Sequence, residues 1–429
     1  MKIVITEKEI NERLNLNFKR LCEPYYQIGE VFSPMNYEWY GDKEGRALLS
    51  FVSLYKAMGK KVPCMEEMLG VIKNKLNEKL YFGPVYKEEN YIREEQLSGH
   101  SWFLRGLCEH YEVFGDELSL ELIKSIIEGL YVPIKGKFNT YPIIREKSAE
   151  GGVSGSSGKY IGKWDLSSDI GCAFMSIDGV SHAYKVLGSN EIRELADEMI
   201  NTFLGIDIVK LGAQTHCSLT AARGMLRMYK CTEEEKYLEG AKRIFDLYVN
   251  YGGMTYTYQN LNWWGRPDSW TEPCAVVDSL MVAAELYKIT NDEEYRALAA
   301  RIYHNGLATA QRNNGGAGPD TVVCKDNDEC YLYIHMDEAY FCCSMRLSEG
   351  LAYINENKEL LFALTEGEIK KDSNGIYRDG DIIYCKPSEE VLDYAEGLTE
   401  IDGLKLSPII KYYKVPFEVA KKARLRIKF

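Results

Sequence analysis

The chain has no apolar run long enough to cross a bilayer, and its opening residues Met1-Lys2-Ile3-Val4-Ile5-Thr6-Glu7-Lys8 lack the apolar core of a secretory signal. These two absences predict a soluble, cytoplasmic protein with no membrane partner. Basic charge is also scarce. Lys and Arg number 52 against 64 Asp and Glu, a net charge of −12, so no basic face is on offer to nucleic acid or anionic lipid. Neutral, hydroxyl-rich ligands fit this balance better. Twelve cysteines would suggest disulfides in an exported chain. With no export signal, free thiols or metal ligation are expected instead. What remains is an ordinary globular composition, 45% hydrophobic over 429 residues, with 31 tyrosines whose amphipathic rings stack on sugar faces or line helix interfaces.

The chain opens on an amphipathic helix over residues 7–30, with Ile10, Leu14, Leu16, Phe18 and Leu21 spaced for one buried face. A signature then recurs. It reads Leu54-Tyr55-Lys56-Ala57-Met58-Gly59, His110-Tyr111-Glu112-Val113-Phe114-Gly115 and Ala183-Tyr184-Lys185-Val186-Leu187-Gly188. It returns as Met228-Tyr229-Lys230-Cys231-Thr232, Leu286-Tyr287-Lys288-Ile289-Thr290 and, more loosely, Ala352-Tyr353-Ile354-Asn355. Each copy closes an apolar helix, passes a short polar turn and opens a second helix, such as the one over 293–302. That is a helical hairpin used six times. Six hairpins without a polar capping repeat predict a mainly α chain closed as an (α/α)6 toroid over residues 1–359, an open solenoid being the alternative. From about residue 360 the periodicity changes to two. Gly380-Asp381-Ile382-Ile383-Tyr384-Cys385 and residues 423–429 read as strands, and Asp379-Gly380 as a turn, giving a small β-rich C-terminal appendage over 360–429.

The repeat also serves as a ruler. If each tyrosine marks the end of an inner helix, residues some ten to fifteen positions upstream lie at its start, about 15–22 Å away. His100, His216, Glu272, Cys274, Cys342 and Cys343 all fall there. His110 and His182 sit beside their tyrosines and are set aside. Two long insertions, residues 136–165 and 313–338, and a Tyr-, Asn- and Trp-rich link over 252–269 fall on the same side, as lids or as plain connectors. In the link, Tyr258 and Trp264 are the candidates to contact a ligand.

Thr271-Glu272-Pro273-Cys274 and, about seventy residues on, Phe341-Cys342-Cys343-Ser344 each open an apolar helix. Zinc accepts thiolate and carboxylate in a tetrahedral shell, so Glu272, Cys274, Cys342 and Cys343 could supply four ligands. Buried cysteines acting as small hydrophobes are the other reading.

The Glu-x-Cys and Cys-Cys pair, with the hairpin text from Tyr287 through Ala300-Arg301-Ile302-Tyr303-His304-Asn305-Gly306-Leu307, resembles the β-L-arabinofuranosidases of glycoside hydrolase family 127. Ser98-Gly99-His100 ahead of Leu104-Arg105-Gly106-Leu107, and Thr215-His216-Cys217 ahead of Ala221-Ala222-Arg223, are similar to that family's two mouth histidines. The resemblance covers roughly residues 40 to 355. It implies a retaining glycosidase in which a zinc-bound cysteine is the nucleophile. Cys342 matches that nucleophile, Glu272, Cys274 and Cys343 the remaining ligands, and His100 and His216 the groups that bond sugar hydroxyls.

One departure stands out. The family places its general-acid glutamate in the loop before Glu-x-Cys, yet residues 252–260 hold no carboxylate. Asp268 is the replacement nearest in sequence, with Asp337 or Glu338 as others. Without a proton donor, roughly 10²–10⁴-fold of rate is lost on poor leaving groups. The expected partner is a small oligosaccharide or glycoside, with a β-L-arabinofuranoside as the first candidate, and a homodimer is left open. Two alternatives accompany this reading: a carbohydrate-binding or regulatory protein on the same fold, and a metal-free (α/α)6 sugar epimerase or uronide hydrolase.

Overall fold

A computed structural model describes residues 7–32, 39–146, 156–255, 258–266, 269–312, 314–319, 322–323, 330–331, 338–339, 342–361, 370–371, 376–379 and 382–385. Its main helices, in chain order, are α1 (Glu7–Leu21), α2 (Asp42–Met58), α3 (Met65–Lys73), α4 (Glu94–Phe114), α5 (Glu117–Ile126), α6 (Ser176–Leu187), α7 (Asn190–Leu204), α8 (Thr215–Thr232), α9 (Glu235–Asn250), α10 (Pro273–Thr290), α11 (Glu293–Arg301) and α12 (Cys343–Leu361). Among the described residues no helix is long and apolar enough to cross a membrane. The chain divides into two compact units, Leu21–Leu247 in one and Met1–Arg20 with Tyr248–Phe429 in the other.

The recurrent tyrosine has a backbone meaning. Gly59, Gly115 and Gly188 adopt positive φ just past α2, α4 and α6, and each donates its N–H back to the tyrosine carbonyl four residues earlier, at 2.8 Å. Glu233 and Asn291 make the same left-handed stop at φ 59° and 55°, with bonds of 2.7 Å to Tyr229 and Tyr287. The next helix is then capped locally: Asp116 Oδ1 accepts from Ser119 N at 2.7 Å and Asp292 Oδ1 from Glu294 N at 3.0 Å. The sixth, looser copy behaves differently. Tyr353 lies within α12, which runs on to Leu361: Asn357 occupies the place that Asn291 holds after Tyr287, but it stays helical and its Nδ2 donates to the Tyr353 carbonyl at 2.7 Å.

In the unit of residues 21–247, α2, α4, α6 and α8 pack in succession and are buried over most of their length. The helices between them bury only one face, Leu122, Ile123 and Ile126 in α5 and Leu195, Met199 and Phe203 in α7. The inner helices approach backbone to backbone. A Cβ on Gly45 would stand 2.2 Å from Phe103 N, and one on Gly224 2.6 Å from the Ile177 carbonyl. The same core hides charge. Asp178 of α6 is fully buried and pairs with Arg105 at 2.9 Å, Arg223 at 3.9 Å and, more closely, Arg227. Burial would raise its carboxyl, but the three guanidinium groups hold it well below the usual range.

The insertion after residue 136 is built on this unit where it is described. Strands β1 (Ile92–Arg93), β2 (Ser156–Ile161) and β3 (Trp164–Ser167) form one sheet in the order β1-β3-β2. Arg145 and Tyr141 bond the buried Glu94 at the start of α4, at 2.9 and 2.5 Å, and Ser167 N bonds it at 2.7 Å. This part of the insertion is therefore anchored structure.

In the other unit α10 packs against both α11 and α12, and Asp278 of α10 pairs with the fully buried Arg346 of α12. Past two short pairing segments, β4 (Val322–Val323) and β5 (Cys330–Tyr331), and past α12, strands β6 (Lys370–Lys371), β7 (Ile376–Asp379) and β8 (Ile382–Cys385) form an antiparallel sheet. The register Asp379↔Ile382 closes the hairpin expected at Asp379-Gly380. The strand expected over 423–429 lies outside the described residues, as does the rest of the chain beyond 385.

Candidate metal centre

The two cysteine clusters open helices, and each opening is held by side chains from elsewhere in the same unit. Pro273 takes the first turn of α10, where its missing N–H costs nothing, and puts Cys274 next in line. Asn260 fastens the approach: its Oδ1 accepts from Glu272 N and Thr271 Oγ1, both at 2.9 Å. At the start of α12, Ser344 Oγ donates to Glu338 Oε1 at 2.7 Å and accepts from Ala317 N at 2.9 Å. Glu338 is itself clamped. Arg20 Nε donates to its two oxygens at 2.8 and 3.0 Å, and Asn314 Nδ2 donates to it at 3.0 Å. Asn17 adds a bond from Nδ2 to the Ser344 carbonyl at 3.1 Å. Gly316 is required here, since a Cβ on it would lie 2.2 Å from Glu338 Oε1.

These anchors bring three sulfurs together. Cys274 Sγ lies 3.7 Å from Cys343 Sγ across 69 positions of sequence, and Cys342 Sγ lies 3.4 Å from Cys343 Sγ. All three fall within 4.8 Å of one another. Zinc–sulfur bonds of about 2.3 Å at tetrahedral angles put sulfurs about 3.7–3.8 Å apart, so the spacing suits a soft, four-coordinate cation. Cys274 and Cys343 are buried, whereas Cys342 is partly exposed. The thiols crowd one another. Contact with Cys274 pushes both Cys342 and Cys343 well above the ordinary thiol range, and burial adds to it. Glu272 is not within that group of mutual distances, but its carboxylate acts on Cys342 electrostatically. Three of the four expected ligands thus converge, and Glu272 stands beside them.

The other expected site residues are placed as follows. His100 is fully buried in α4 with both ring nitrogens engaged: Phe82 N donates to Nε2 at 3.0 Å and Nδ1 donates to the Gln96 carbonyl at 2.7 Å. Burial lowers it to about 4. It is neutral and pins the 82–100 segment, which differs from the expected role toward sugar hydroxyls. His216 is the second residue of α8 and stacks on Trp102 with ring centroids 5.7 Å apart. Both histidines belong to the unit of residues 21–247. Tyr258 is partly exposed at φ 58°, and Trp264 is completely buried, so its ring offers no open stacking face. Asp268 and Asp337 lie outside the described residues. Glu338, the remaining stand-in for a general acid, is tied as a carboxylate to Arg20 and differs from that expectation for this reason.

Sequence reading missed Asn260, Arg20 and the clamped Glu338 as the supports of the cluster. Arg20 and Glu338 are 318 positions apart, so no local pattern joins them. Where it is described, the link over 252–269 is packed within its own unit. Thr255, Gln259, Asn260, Asn262, Trp263 and Trp264 are all buried, and Thr255 Oγ1 and the Gln259 carbonyl brace it through bonds from Gln259 N at 3.0 Å, Thr255 N at 2.7 Å and Tyr248 OH at 3.1 Å.

No family model and no curated protein matches the sequence. Solved structures resemble its fold. An unsaturated glucuronyl hydrolase specific for heparin is similar at a TM-score of 0.56 and 13% identity, covering 83% of this chain and 100% of its own. The unsaturated glucuronyl hydrolase from Streptococcus agalactiae gives 0.52 and 13%, covering 84% and 95%. A GH127 β-arabinofuranosidase gives 0.51 and 11%, covering 88% of this chain, which spans 60% of that protein's length. At such identities the likeness is one of fold: this chain has the mainly α, (α/α)6 fold of these glycoside hydrolases.

Proposed function

We propose that the protein is a retaining glycoside hydrolase for a small furanosidic sugar, with a β-L-arabinofuranoside as the first candidate, using a zinc-bound cysteine as nucleophile. What supports this is the convergence of Cys274, Cys342 and Cys343 within 4.8 Å at two helix starts, in a chain with a glycoside hydrolase fold. These three residues would hold the ion, with Glu272 the candidate for the fourth position. When bound, zinc supplies a positive charge that keeps a ligating thiol deprotonated near neutral pH. Cys342 is the least buried residue of the trio and is taken as the nucleophile. Its sulfur attacks the anomeric carbon, the bond to the leaving group breaks with that group taking the electron pair, and water then opens the thioglycosyl link to return the thiolate. Glu338 is committed to Arg20 and supplies no proton to the departing oxygen. Substrates with good leaving groups are therefore favoured.

A binding role without turnover is the second reading, supported by the same commitment of Glu338. A metal-free uronide hydrolase would account for the likeness to glucuronyl hydrolases but leaves the thiol cluster without a purpose. The deciding experiment measures metal in the purified full chain and 4-nitrophenol release from 4-nitrophenyl β-L-arabinofuranoside. About one zinc per chain with release supports the hydrolase; zinc without release from any activated furanoside moves the protein to the binding role. A chain that takes up no metal ends the proposal.

A further inference from the structure

Four hydrogen-bonding atoms within three consecutive residues of the 252–269 link are buried and find no partner among the described residues: Asn262 Nδ2 and Oδ1, Trp263 Nε1 and Trp264 Nε1. Asn262 and Trp264 are 0% exposed and Trp263 1%. Buried amides and indole N–H groups are ordinarily satisfied, and leaving them bare destabilises the state that does so. Neighbouring groups show what a satisfied version looks like. Asn260, two residues earlier, spends its carboxamide oxygen on Thr271 and Glu272 at the start of α10, and Asn262 N–H bonds Ser269 Oγ at 3.0 Å. The start of this stretch is thus tied down through Asn260 and the Asn262 N–H, while three adjacent side chains present donors and an acceptor to no group among the described residues.

We propose that residues 261–264 are a recognition loop for a neutral, hydroxylated ligand, in which the Asn262 carboxamide and the Trp263 and Trp264 indole N–H groups bond ligand hydroxyls. The assignment deepens the sugar-binding part of the reading above and rests on it. A carboxamide offers one acceptor and two donors on one planar group, which matches adjacent hydroxyls that each give and take a bond. The indole N–H groups add donors only. None of the three side chains has surface open to water, so a ligand reaches them only when the loop is displaced. That displacement breaks no hydrogen bond made by these side chains and relieves their unmet demand, which lowers its cost. A ligand without hydroxyls would leave the groups bare and gain nothing, and this is the origin of the selectivity.

The test titrates full-length protein with methyl β-L-arabinofuranoside, then with L-arabinose, D-galactose and D-glucose, following tryptophan fluorescence and, by calorimetry, affinity. Asn262→Leu removes the amide at similar volume, and Trp264→Phe removes the N–H while keeping an aromatic ring. The expected result is a loss of affinity of about tenfold or more for Asn262→Leu and a smaller loss for Trp264→Phe, with unchanged metal content and a melting temperature for Asn262→Leu that is equal or higher. Unchanged affinity together with a lower melting temperature would overturn the inference, since the amide would then serve the fold. Wild-type protein that binds none of the four sugars would overturn it as well. Sugar binding without hydrolysis would fail the enzyme reading and leave this inference standing.

Discussion

Among the described residues two clusters hold ligand atoms at a spacing that suits a cation, and they are chemically opposite. Cys274, Cys342 and Cys343 in one unit, and Glu109, Glu112 and His182 in the other, each offer ligand atoms within 4.8 Å of one another. The second cluster is already neutralised by the protein. Lys56 lies 3.1 Å from Glu109, Lys185 2.8 Å from Glu112, and Arg105 2.6 Å from His182 Nδ1, while His182 Nε2 lies 3.3 Å from Glu112. Burial would raise Glu112, yet His182 and Lys185 bring it down to about 2. In the thiol cluster the largest influences on Cys342 are its sister thiols, burial and the Glu272 carboxylate, and none of these is cationic. Proximity alone therefore does not make a metal site. A cluster whose charge is already balanced has nothing to gain from a cation, whereas buried thiols that must otherwise keep their protons have much to gain.

The sharpest way to break this comparison is metal content. Cys274→Ala should abolish zinc uptake, while Glu109→Gln should leave the stoichiometry untouched; equal losses from both would erase the distinction. Next in size is turnover, where Cys342→Ser is expected to lower kcat on an aryl furanoside by on the order of 10³-fold or more, with residual metal retained through the other ligands. Retained activity would remove Cys342 from the chemistry. Glu338→Gln breaks the ion pair between the buried Glu338 and the half-buried Arg20, and urea unfolding should report a loss of about 3 kcal/mol. Because Glu338 is structural, the pH dependence of the surviving activity should not move. A lost acidic limb would instead make it the proton donor.

The effect of acid is counted per histidine. His182 and His100 are each lowered to about 4, burial being the first cause in both. The unfolded chain binds their protons near pH 6.5 and the folded chain only near 4, so the stability they lend is complete above 6.5 and is lost as pH falls through that window. The loss should be on the order of 3 kcal/mol per histidine by pH 4. Thermal unfolding of wild type beside His182→Gln checks this: the variant should show a shallower decline between pH 6.5 and 4.

The structure separates what a local reading can see from what it cannot. Tyr55-x3-Gly59 and its four close copies announce a helix stop because only a few residues tolerate the left-handed turn, and the chain obeys at each of them, with Glu233 and Asn291 standing in for glycine. Tyr353 has Asn357 at the same spacing as Asn291 after Tyr287, yet there the side chain takes the tyrosine carbonyl and the helix runs on. The candidate site was half legible. Glu-x-Cys and Cys-Cys mark helix starts by their neighbours, but nothing near Glu338 in the sequence announces that Arg20 will claim it, and nothing near Trp264 says that its ring will be sealed away.

By itself the sequence determined the hairpins, their caps, the helix openings that bear the thiols and the β-hairpin at Asp379↔Ile382, because each depends on interactions within a few residues along the chain. Tertiary structure alone decided that Cys274 meets Cys343, that Glu272 stands outside their group, that His100 spends both nitrogens on backbone and that the Asn262 carboxamide finds no partner among the described residues. The physical reason is one of range. Helix periodicity and capping are encoded by near neighbours, whereas ligand geometry and buried hydrogen-bond balance are set by which distant surfaces pack together.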